Sequence, residues 1–465
     1  MQELIRQPLV NIAAAIKSKQ VTSVALVEAF LGRIESVNEA LNAVVNLNTD
    51  NALKYAAKAD ADLANGDYHG PLHGIPMTIK DSLDTRDMIT TWGTSGRKTF
   101  LPGQDATAVS RLRSAGAILL GKTNTPEFTL SFQTDNSLFG PTRNPFDLTR
   151  TPGGSSGGAA ALIASGATLF DVGTDTGGSI RLPAHFCGIA GIKPTTGRVP
   201  CTGNALPSSG LIARLTQPGP LARCVADLEL LLGIMSGPDN IDPNAFAVPL
   251  GKSTEIDVSQ LRIAFHTDNG IKQPDPAIVD AINNVTDLLR QSGISTSEAR
   301  PSGIEMTSLI LGRIFAADGG EMLDALLEDC RTTEPSAVIA KTLAAGTLPM
   351  SQQEVARIID LWDNYKSSML SFFNDFDVLL CPVNGSTAIC LGEEEDMANY
   401  TYTSAFNMTG WPAAVVRAGT DQNGLPIGVQ IVAAPFREDH CLAVASWLES
   451  RLGEFSSPNV FCKTN

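Results

Sequence analysis

The chain has 465 residues, of which 43% are hydrophobic and 18% charged, and its formal net charge at pH 7 is −15. This composition is typical of a globular protein with enough apolar material for a large core. The excess of negative charge argues against binding to nucleic acid or to an anionic membrane, because both attract basic surfaces.

The N-terminal segment, residues 1–65, is predicted to be helical. Apolar spacing indicates one helix in VTSVALVEAFLGRI and a second in ALKYAAKADADLANG, which Gly66 closes. The first ten residues, MQELIRQPLV, lack the apolar core of a secretory signal, and a long uncharged stretch at 151–170 is too rich in glycine and serine for a membrane span. We therefore expect a cytoplasmic protein without a membrane segment.

Short apolar runs alternate with helical stretches along the rest of the chain. The runs are IPMTIK (75–80), AILLG (117–121), TLFDVG (168–173), RIAFH (262–266), DVLLCP (377–382), AAVVRAG (413–419) and GVQIVAA (428–434). Helical stretches such as VADLELLLGIM (225–235) and PAIVDAINNVTDLLRQSG (276–293) lie between them. The alternation predicts an α/β fold with a large, mostly parallel or mixed sheet.

Residues 151–160, TPGGSSGGAA, place glycines around two serines, and their role is not obvious. A flexible spacer is disfavoured because the stretch runs directly into the apolar AAALIASGA. The pattern G-x-S-x-G would make Ser155 the nucleophile of a Ser-His-Asp triad, but such an elbow follows a strand, and prolines interrupt the preceding PFDLTRTP. His266 and His440 are the histidines well downstream, and neither has a distinctive setting.

Nucleotide binding is a second alternative, because GAILLGKT (116–123) matches the phosphate-binding pattern GxxxxGK[ST]. Its four central residues are apolar and indicate a buried strand, and Pro126 lies where the helix after a phosphate loop would begin. The cysteines form no CxxC pair. We therefore expect neither a nucleotide, nor a metal, nor any other cofactor.

A second glycine–serine stretch, GTDTGGSIRLPAHFCG (173–188), follows the apolar TLFDVG. Consecutive amides in such a turn can point into one cavity and form an oxyanion hole beside Ser179. No histidine is suitably placed as a base, but a lysine can serve when desolvation favours its neutral form. Lys80, at the end of IPMTIK, is a candidate, although on this stretch alone a surface ion pair with Asp81 or Asp84 is the simpler interpretation.

Together, HGIPMTIKD, TPGGSSGG and GTDTGGSIR, in this order, resemble the amidase signature family. The similarity continues in DATAVSRLRSAGAILLGKTNTPEF (105–128), GPTRNPFDLTRTPGGSSGG (140–158), CGIAGIKPTTGRV (187–199) and, more weakly, at 407–433. It implies a single large α/β/α domain with a central mixed sheet covered by helices. We expect the segment 1–65 to pack on a main domain, 66–465, with a catalytic core at 70–235 and a variable, substrate-shaping region at 240–400.

The resemblance also implies roles for individual residues. Ser179 is the expected nucleophile, Ser155 the bridging serine after a cis peptide bond from Gly154, and Lys80 the base. The remaining expected residues are the backbone amides of Thr176, Gly177, Gly178 and Ser179 as oxyanion hole, Asp175 and Arg181 as a supporting pair beside the loop, and Ser156 as a hydrogen-bond partner of Ser155. Ala159 departs from the family pattern, in which many members have serine, but it lies outside the triad.

The function implied is cleavage of carboxamides or anilides, and also of esters or carbamates, through an acyl-enzyme. The alternative is the amidase subunit of a glutamine-dependent tRNA amidotransferase, although 300–375 lacks the Arg/Gly-rich segment expected of that protein. The loops at 128–140 and 200–210 and the segment 300–400 are expected to shape the acyl pocket, with a preference for a neutral, partly aromatic group. The expected partner is a small-molecule amide, without nucleic acid or membrane, and a homodimer is left open.

Overall fold

The computed structural model describes residues 3–345, 348–453 and 458. In chain order, its helices are α1 (Leu9–Lys17), α2 (Ser23–Leu41), α3 (Thr49–Asn65), α4 (Thr107–Ser114), α5 (Gly157–Ala164), α6 (Arg181–Cys187), α7 (Gly210–Ala213), α8 (Val225–Met235), α9 (Pro276–Gln291), α10 (Thr307–Ala316), α11 (Glu321–Cys330), α12 (Ala337–Ala344), α13 (Gln352–Leu370), α14 (Thr401–Met408) and α15 (Glu438–Leu452). The strands are β1 (Val44–Leu47), β2 (Pro76–Lys80), β3 (Ile118–Thr123), β4 (Phe170–Asp175), β5 (Ala190–Lys193), β6 (Gln217–Ala222), β7 (Ile263–Phe265), β8 (Thr296–Glu298), β9 (Val378–Pro382), β10 (Ala413–Thr420) and β11 (Pro426–Ala433).

The strands form one large mixed sheet and one small sheet. The large sheet has eight strands in the order β4-β6-β5-β10-β11-β9-β7-β8, and only the β9-β7-β8 pairs are parallel. The small sheet has the order β1-β3-β2, with β2 and β3 parallel and β1 antiparallel to β3. The predicted α/β fold with a large mixed sheet covered by helices is confirmed.

Asp171 on β4 fastens the small sheet to the edge of the large one. Its carboxylate accepts hydrogen bonds from the backbone N–H of Lys80 (2.9 Å) and from the hydroxyls of Thr78 (2.7 Å) and Thr123 (3.0 Å). Asp171 is fully buried, and a buried carboxylate needs such donors because it has lost its water. The contact fixes the end of β2, and with it Lys80, beside β4.

Helix α5 explains why GGSSGG continues into alanines. Every residue of α5 is buried, and a Cβ added at Gly158 would lie 2.4 Å from the backbone nitrogen of Asn124. Only a helix with small side chains can approach the end of β3 so closely. The glycine–serine stretch is therefore the buried start of a core helix and not a spacer.

The N-terminal helices and the later helices occupy different parts of the core. α1 and α2 bury Leu9, Ile16 and Phe30 in the apolar cluster that also contains the sheet residues. Helices α10 to α13 form a second cluster with α14, which contains Trp362, Trp411 and neighbouring aliphatic side chains.

The predicted domain boundaries, 1–65 and 66–465, stay a prediction. Among the helices that the structure describes, none combines the length and the apolar character needed to cross a bilayer.

Candidate active site

Lys80 ends strand β2 and is fully buried. Its Nζ donates to Ser155 Oγ at 2.6 Å and to Thr174 Oγ1 at 2.9 Å. The alternative of a surface ion pair with Asp81 or Asp84 is therefore wrong. The side chain reaches inward because the carboxylate of Asp171 holds its backbone from β4.

Burial lowers the pKa of Lys80 to about 7, although the carboxylates of Asp175 and Asp171 act in the opposite direction. Removing an ammonium group from water disfavours its charged form, and here this effect outweighs the attraction of two nearby carboxylates. Near neutral pH a large fraction of Lys80 is then an uncharged amine. An uncharged amine is a base, whereas an ammonium group can only donate.

Ser155 and Ser156 lie on the loop before α5, and the peptide bond between Gly154 and Ser155 is cis, as the resemblance implies. The N–H of Ser156 donates to the carbonyl oxygen of Ser179 at 3.2 Å, while its hydroxyl donates to the carbonyl of Thr174 at 3.5 Å. Ser156 thus contacts Ser179 and β4, and its expected hydrogen bond to the Ser155 hydroxyl is not formed.

The loop between β4 and α6 carries Ser179. Within the described residues, the Ser179 hydroxyl and the N–H groups of Gly177, Gly178 and Ser179 have no hydrogen-bond partner. Ser179 and Gly177 line a large cavity, so this part of the loop faces open space. Free amides beside a free hydroxyl are the arrangement that an oxyanion hole requires.

Asp175 and Arg181 hold the two ends of this loop together beneath the cavity. Arg181 donates from Nε to Asp175 Oδ2 at 3.0 Å and from Nη2 to Oδ1 at 2.9 Å, and both side chains are fully buried. The carboxylate also accepts from the N–H of Ile180 at 3.1 Å. Burial alone would raise the pKa of Asp175, but Arg181 and the hydrogen bonds lower it to about 2, so the pair stays charged.

Three further residues, which the sequence motifs did not identify, contact either the Asp175–Arg181 pair or Lys80. Asn407 on α14 donates from Nδ2 to Asp175 Oδ1 at 2.8 Å, and Gln430 on β11 accepts from Arg181 Nη1 at 2.7 Å. Thr174 binds Lys80 directly. Asn407 lies in NMTGWPAAVV, where the family resemblance was weak, and Thr174 and Asp171 lie in TLFDVGTD, where polar side chains in an apolar run were the available signal.

The cavity in front of Ser179 has a volume of about 1530 Å³. Its walls come from the loop after β3, from α10 to α12, and from the segment that leads into α14 together with the first turn of that helix. Phe132 and Tyr400 stack within it, with ring centroids 3.8 Å apart. Residues 128–140 and 300–400 contribute to the lining as expected, but none of 200–210 does, and Leu206 from that loop packs in the apolar cluster of Trp362 and Trp411.

The cavity wall is apolar and acidic. Its carboxylates are Glu127, Asp135, Asp318, Glu393, Glu394 and Glu395. The one basic side chain on this wall among the described residues is Lys341, which is 85% exposed and lies 3.8 Å from Glu394. Burial raises the pKa of Glu395 to about 7. The wall therefore offers little that could neutralise a negatively charged ligand.

The alternative candidates take no part in the contacts that join Lys80, Ser155 and Ser179. Lys122 of GAILLGKT is buried in β3 and donates to the carbonyl of Leu83, so the predicted strand is present where a phosphate loop would be needed. His266 follows β7 and His440 lies on α15, and neither binds Ser155 or Ser179. Across residues 3–345 and 348–453, no group of three His, Cys, Asp or Glu side chains is arranged to hold a metal ion.

Comparison with known proteins identifies the family of the chain. The Amidase family pattern matches residues 25–442. A glutamyl-tRNA(Gln) amidotransferase subunit from Acidothermus cellulolyticus is 33% identical, over 98% of this chain and 96% of its own length. Indoleacetamide hydrolase of Bradyrhizobium diazoefficiens is 36% identical, over 96% of this chain and 86% of its own length. The crystal structure of a bacterial aryl acylamidase of the amidase signature family superposes with a TM-score of 0.88 at 28% identity, covering 99% of both chains. The chain therefore belongs to the amidase signature family of enzymes, which act on the carbon–nitrogen bonds of amides.

Proposed function

We propose that the protein is a stand-alone amidohydrolase that cleaves small carboxamides and anilides through an acyl-enzyme on Ser179. The observation that carries the proposal is the contact between fully buried Lys80, whose pKa is lowered to about 7, and the hydroxyl of Ser155. A lysine in this state is a base at neutral pH, and the loop that holds Ser155 also binds the backbone of Ser179.

The first half of the reaction forms the acyl-enzyme. Neutral Lys80 takes the proton of Ser155, Ser155 takes that of Ser179, and Ser179 Oγ attacks the amide carbon. The resulting oxyanion is bound by the backbone N–H groups of the 176–179 loop, where each donor is worth about 3 kcal/mol. The C–N bond then breaks as the proton returns through Ser155 to the leaving nitrogen.

The second half releases the acid. Water loses a proton to the same Ser155–Lys80 pathway and attacks the acyl carbon, and the Ser179 ester bond breaks as Ser179 is reprotonated. Asp175 and Arg181 do not touch the substrate in this scheme. They keep the amide-bearing loop in position, because their bidentate ion pair spans it.

The cavity supports amides with an uncharged, partly aromatic acyl group. Phe132 and Tyr400 offer flat apolar surface, and the several carboxylates of the wall repel anions. Esters and carbamates present an acyl carbon that carries an oxygen leaving group, which departs more readily than an amine, so we expect them to react as well.

A second candidate function is that of the amidase subunit in a glutamine-dependent tRNA amidotransferase. Similarity to proteins of that name over nearly the whole chain favours it. However, glutamine carries an α-carboxylate, and among the described lining residues the positive charge is that of exposed Lys341, already beside Glu394. A buried carboxylate without a cation is costly, so the cavity favours the hydrolase.

Activity of the purified chain separates the two functions. We expect hydrolysis of a neutral aryl anilide without glutamine, ATP or a second protein, and covalent labelling of Ser179 by a fluorophosphonate. Ser179→Ala should lose both and remain folded. Labelling of Ser155 in that variant would contradict the assignment of the nucleophile, and glutaminase activity that appears only with partner proteins would favour the second candidate.

A further inference from the structure

Helix α14 contacts the 176–179 loop through two side-chain hydroxyls. Thr403 Oγ1 lies 2.6 Å from the carbonyl oxygen of Gly177, and Ser404 Oγ lies 3.1 Å from the same oxygen. Both hydroxyls also reach the carbonyl of Tyr400, Thr403 at 3.0 Å and Ser404 at 2.8 Å. Each hydroxyl has one proton to donate. The shorter distances assign the Thr403 proton to Gly177 and the Ser404 proton to Tyr400.

The peptide group between Gly177 and Gly178 needs such a contact. Glycine on both sides leaves a peptide group unusually free to rotate. Within one trans peptide, the C=O and N–H bonds point in opposite directions. A hydrogen bond that fixes the Gly177 carbonyl towards α14 therefore fixes the Gly178 N–H away from α14.

The position of α14 is itself well determined. Arg181 donates from Nη1 to the carbonyl of Thr403 at 2.8 Å, and Asn407 donates to Asp175, so the helix is tied to both ends of the loop. A Cβ added at Gly178, where φ is +142°, would lie 2.4 Å from Thr403 Oγ1. The loop and the helix are thus in direct contact at the peptide group in question.

We propose that Thr403 is a positioning residue that orients the Gly178 N–H for the developing oxyanion. The inference rests on the proposed function, in which this amide belongs to the oxyanion hole. Thr403 is fully buried and does not line the cavity, so it acts through the loop and not on the substrate.

Thr403→Val tests the proposal because it removes the hydroxyl and keeps the shape of the side chain. We expect kcat to fall by about 10- to 100-fold with KM changed less than about threefold, because oxyanion donors act mainly in the transition state. Affinity for a trifluoromethyl ketone, which forms a tetrahedral oxyanion on Ser179, should fall by the same factor as kcat/KM. Thr403→Ser, which keeps the hydroxyl, should restore kcat to within about threefold of the original value.

One control variant addresses a general disturbance of α14. Thr409→Val removes a hydroxyl that follows the same helix and has no partner among the described residues. It should retain kcat within about threefold. An unchanged kcat in Thr403→Val, a loss in KM alone, or an equal loss in Thr409→Val would overturn the proposal. Full activity of Ser179→Ala would instead overturn the proposed function itself.

Discussion

Lys80 illustrates how one residue is set by opposing electrostatic effects. Desolvation favours its neutral amine, whereas the carboxylates of Asp175 and Asp171 favour the ammonium. A pKa of about 7 in place of 10.5 corresponds to about 5 kcal/mol in favour of the neutral form. The two hydroxyl partners, Ser155 and Thr174, do not oppose this change, because a hydroxyl can donate to an amine as well as accept from an ammonium.

The pH dependence of acylation follows from this pKa. In the proposed mechanism the neutral amine of Lys80 is the active form, so kcat/KM for an amide should be lost as pH falls below about 7 and should reach a plateau above it. Lys80→Arg should be nearly as inactive as Lys80→Ala, since arginine stays charged. His266→Ala and His440→Ala are the matched controls and should keep the profile. A profile that is flat down to pH 5, with an active Lys80→Arg variant, would reduce Lys80 to a structural cation.

Asp171→Asn should move that profile in a stated direction. The carboxylate raises the pKa of Lys80, so its loss should shift the midpoint of kcat/KM to lower pH, while the side-chain oxygen of asparagine can still accept from the Lys80 N–H. Burial raises the pKa of Asp171 itself to about 6. The carboxylate is therefore mostly ionised near pH 7, where Lys80 titrates, and its removal should be felt there. Asp227→Asn, another buried carboxylate that accepts a backbone N–H, is the control for stability loss alone. An unshifted midpoint would contradict an electrostatic role for Asp171.

At the scale of elements, the sequence predicts loops, strands and helices that depend on neighbouring residues, but it does not predict contacts between distant segments. The glycine–serine loops, the strand at 118–123 and the helix after GGSS follow from neighbouring residues. The burial of Lys80 does not, because it depends on Asp171 and Thr174 of β4, far along the chain. The contact between α14 and the 176–179 loop could not be predicted either, since Thr403 and Gly177 are more than two hundred residues apart in the sequence.

Close packing of α5 on β3 predicts opposite effects for two glycine substitutions. Gly158→Ala should destabilise the protein by about 2 kcal/mol or more, because its Cβ would meet the backbone of Asn124 at 2.4 Å. Gly32→Ala, in the interior of α2 with nothing within 4 Å of the added Cβ, should stabilise it by about 0.5–1 kcal/mol. Urea unfolding of the two variants measures both values. Equal effects would show that helix propensity and not the approach of α5 governs Gly158.

At the scale of the whole molecule, the net charge of the chain and the lining of the cavity both disfavour anionic ligands. The chain has a net charge of −15, and the wall in front of Ser179 carries carboxylates with one exposed lysine among the described lining residues. The potential at the mouth of the cavity is therefore negative, which lowers the local concentration of anions. Apolar side chains at the same rim, among them Phe315, Val338 and Met397, favour uncharged groups.

Selection against anionic acyl groups is the consequence that can be measured. With hexanoyl and glutaryl anilides, which differ in a terminal ethyl group or carboxylate on the same three-methylene chain, we expect kcat/KM to be at least about tenfold lower for the glutaryl compound. Because exposed charges are screened, the difference should narrow between roughly 0.02 and 0.5 M salt, as the Debye length falls from roughly 20 to 4 Å. Glu393→Gln and Glu394→Gln, at exposed positions of the wall, should also reduce the difference in kcat/KM between the two anilides. Both variants should leave the rate with the hexanoyl compound unchanged. Equal rates for the two anilides at low salt would show that the acidic wall does not select the substrate.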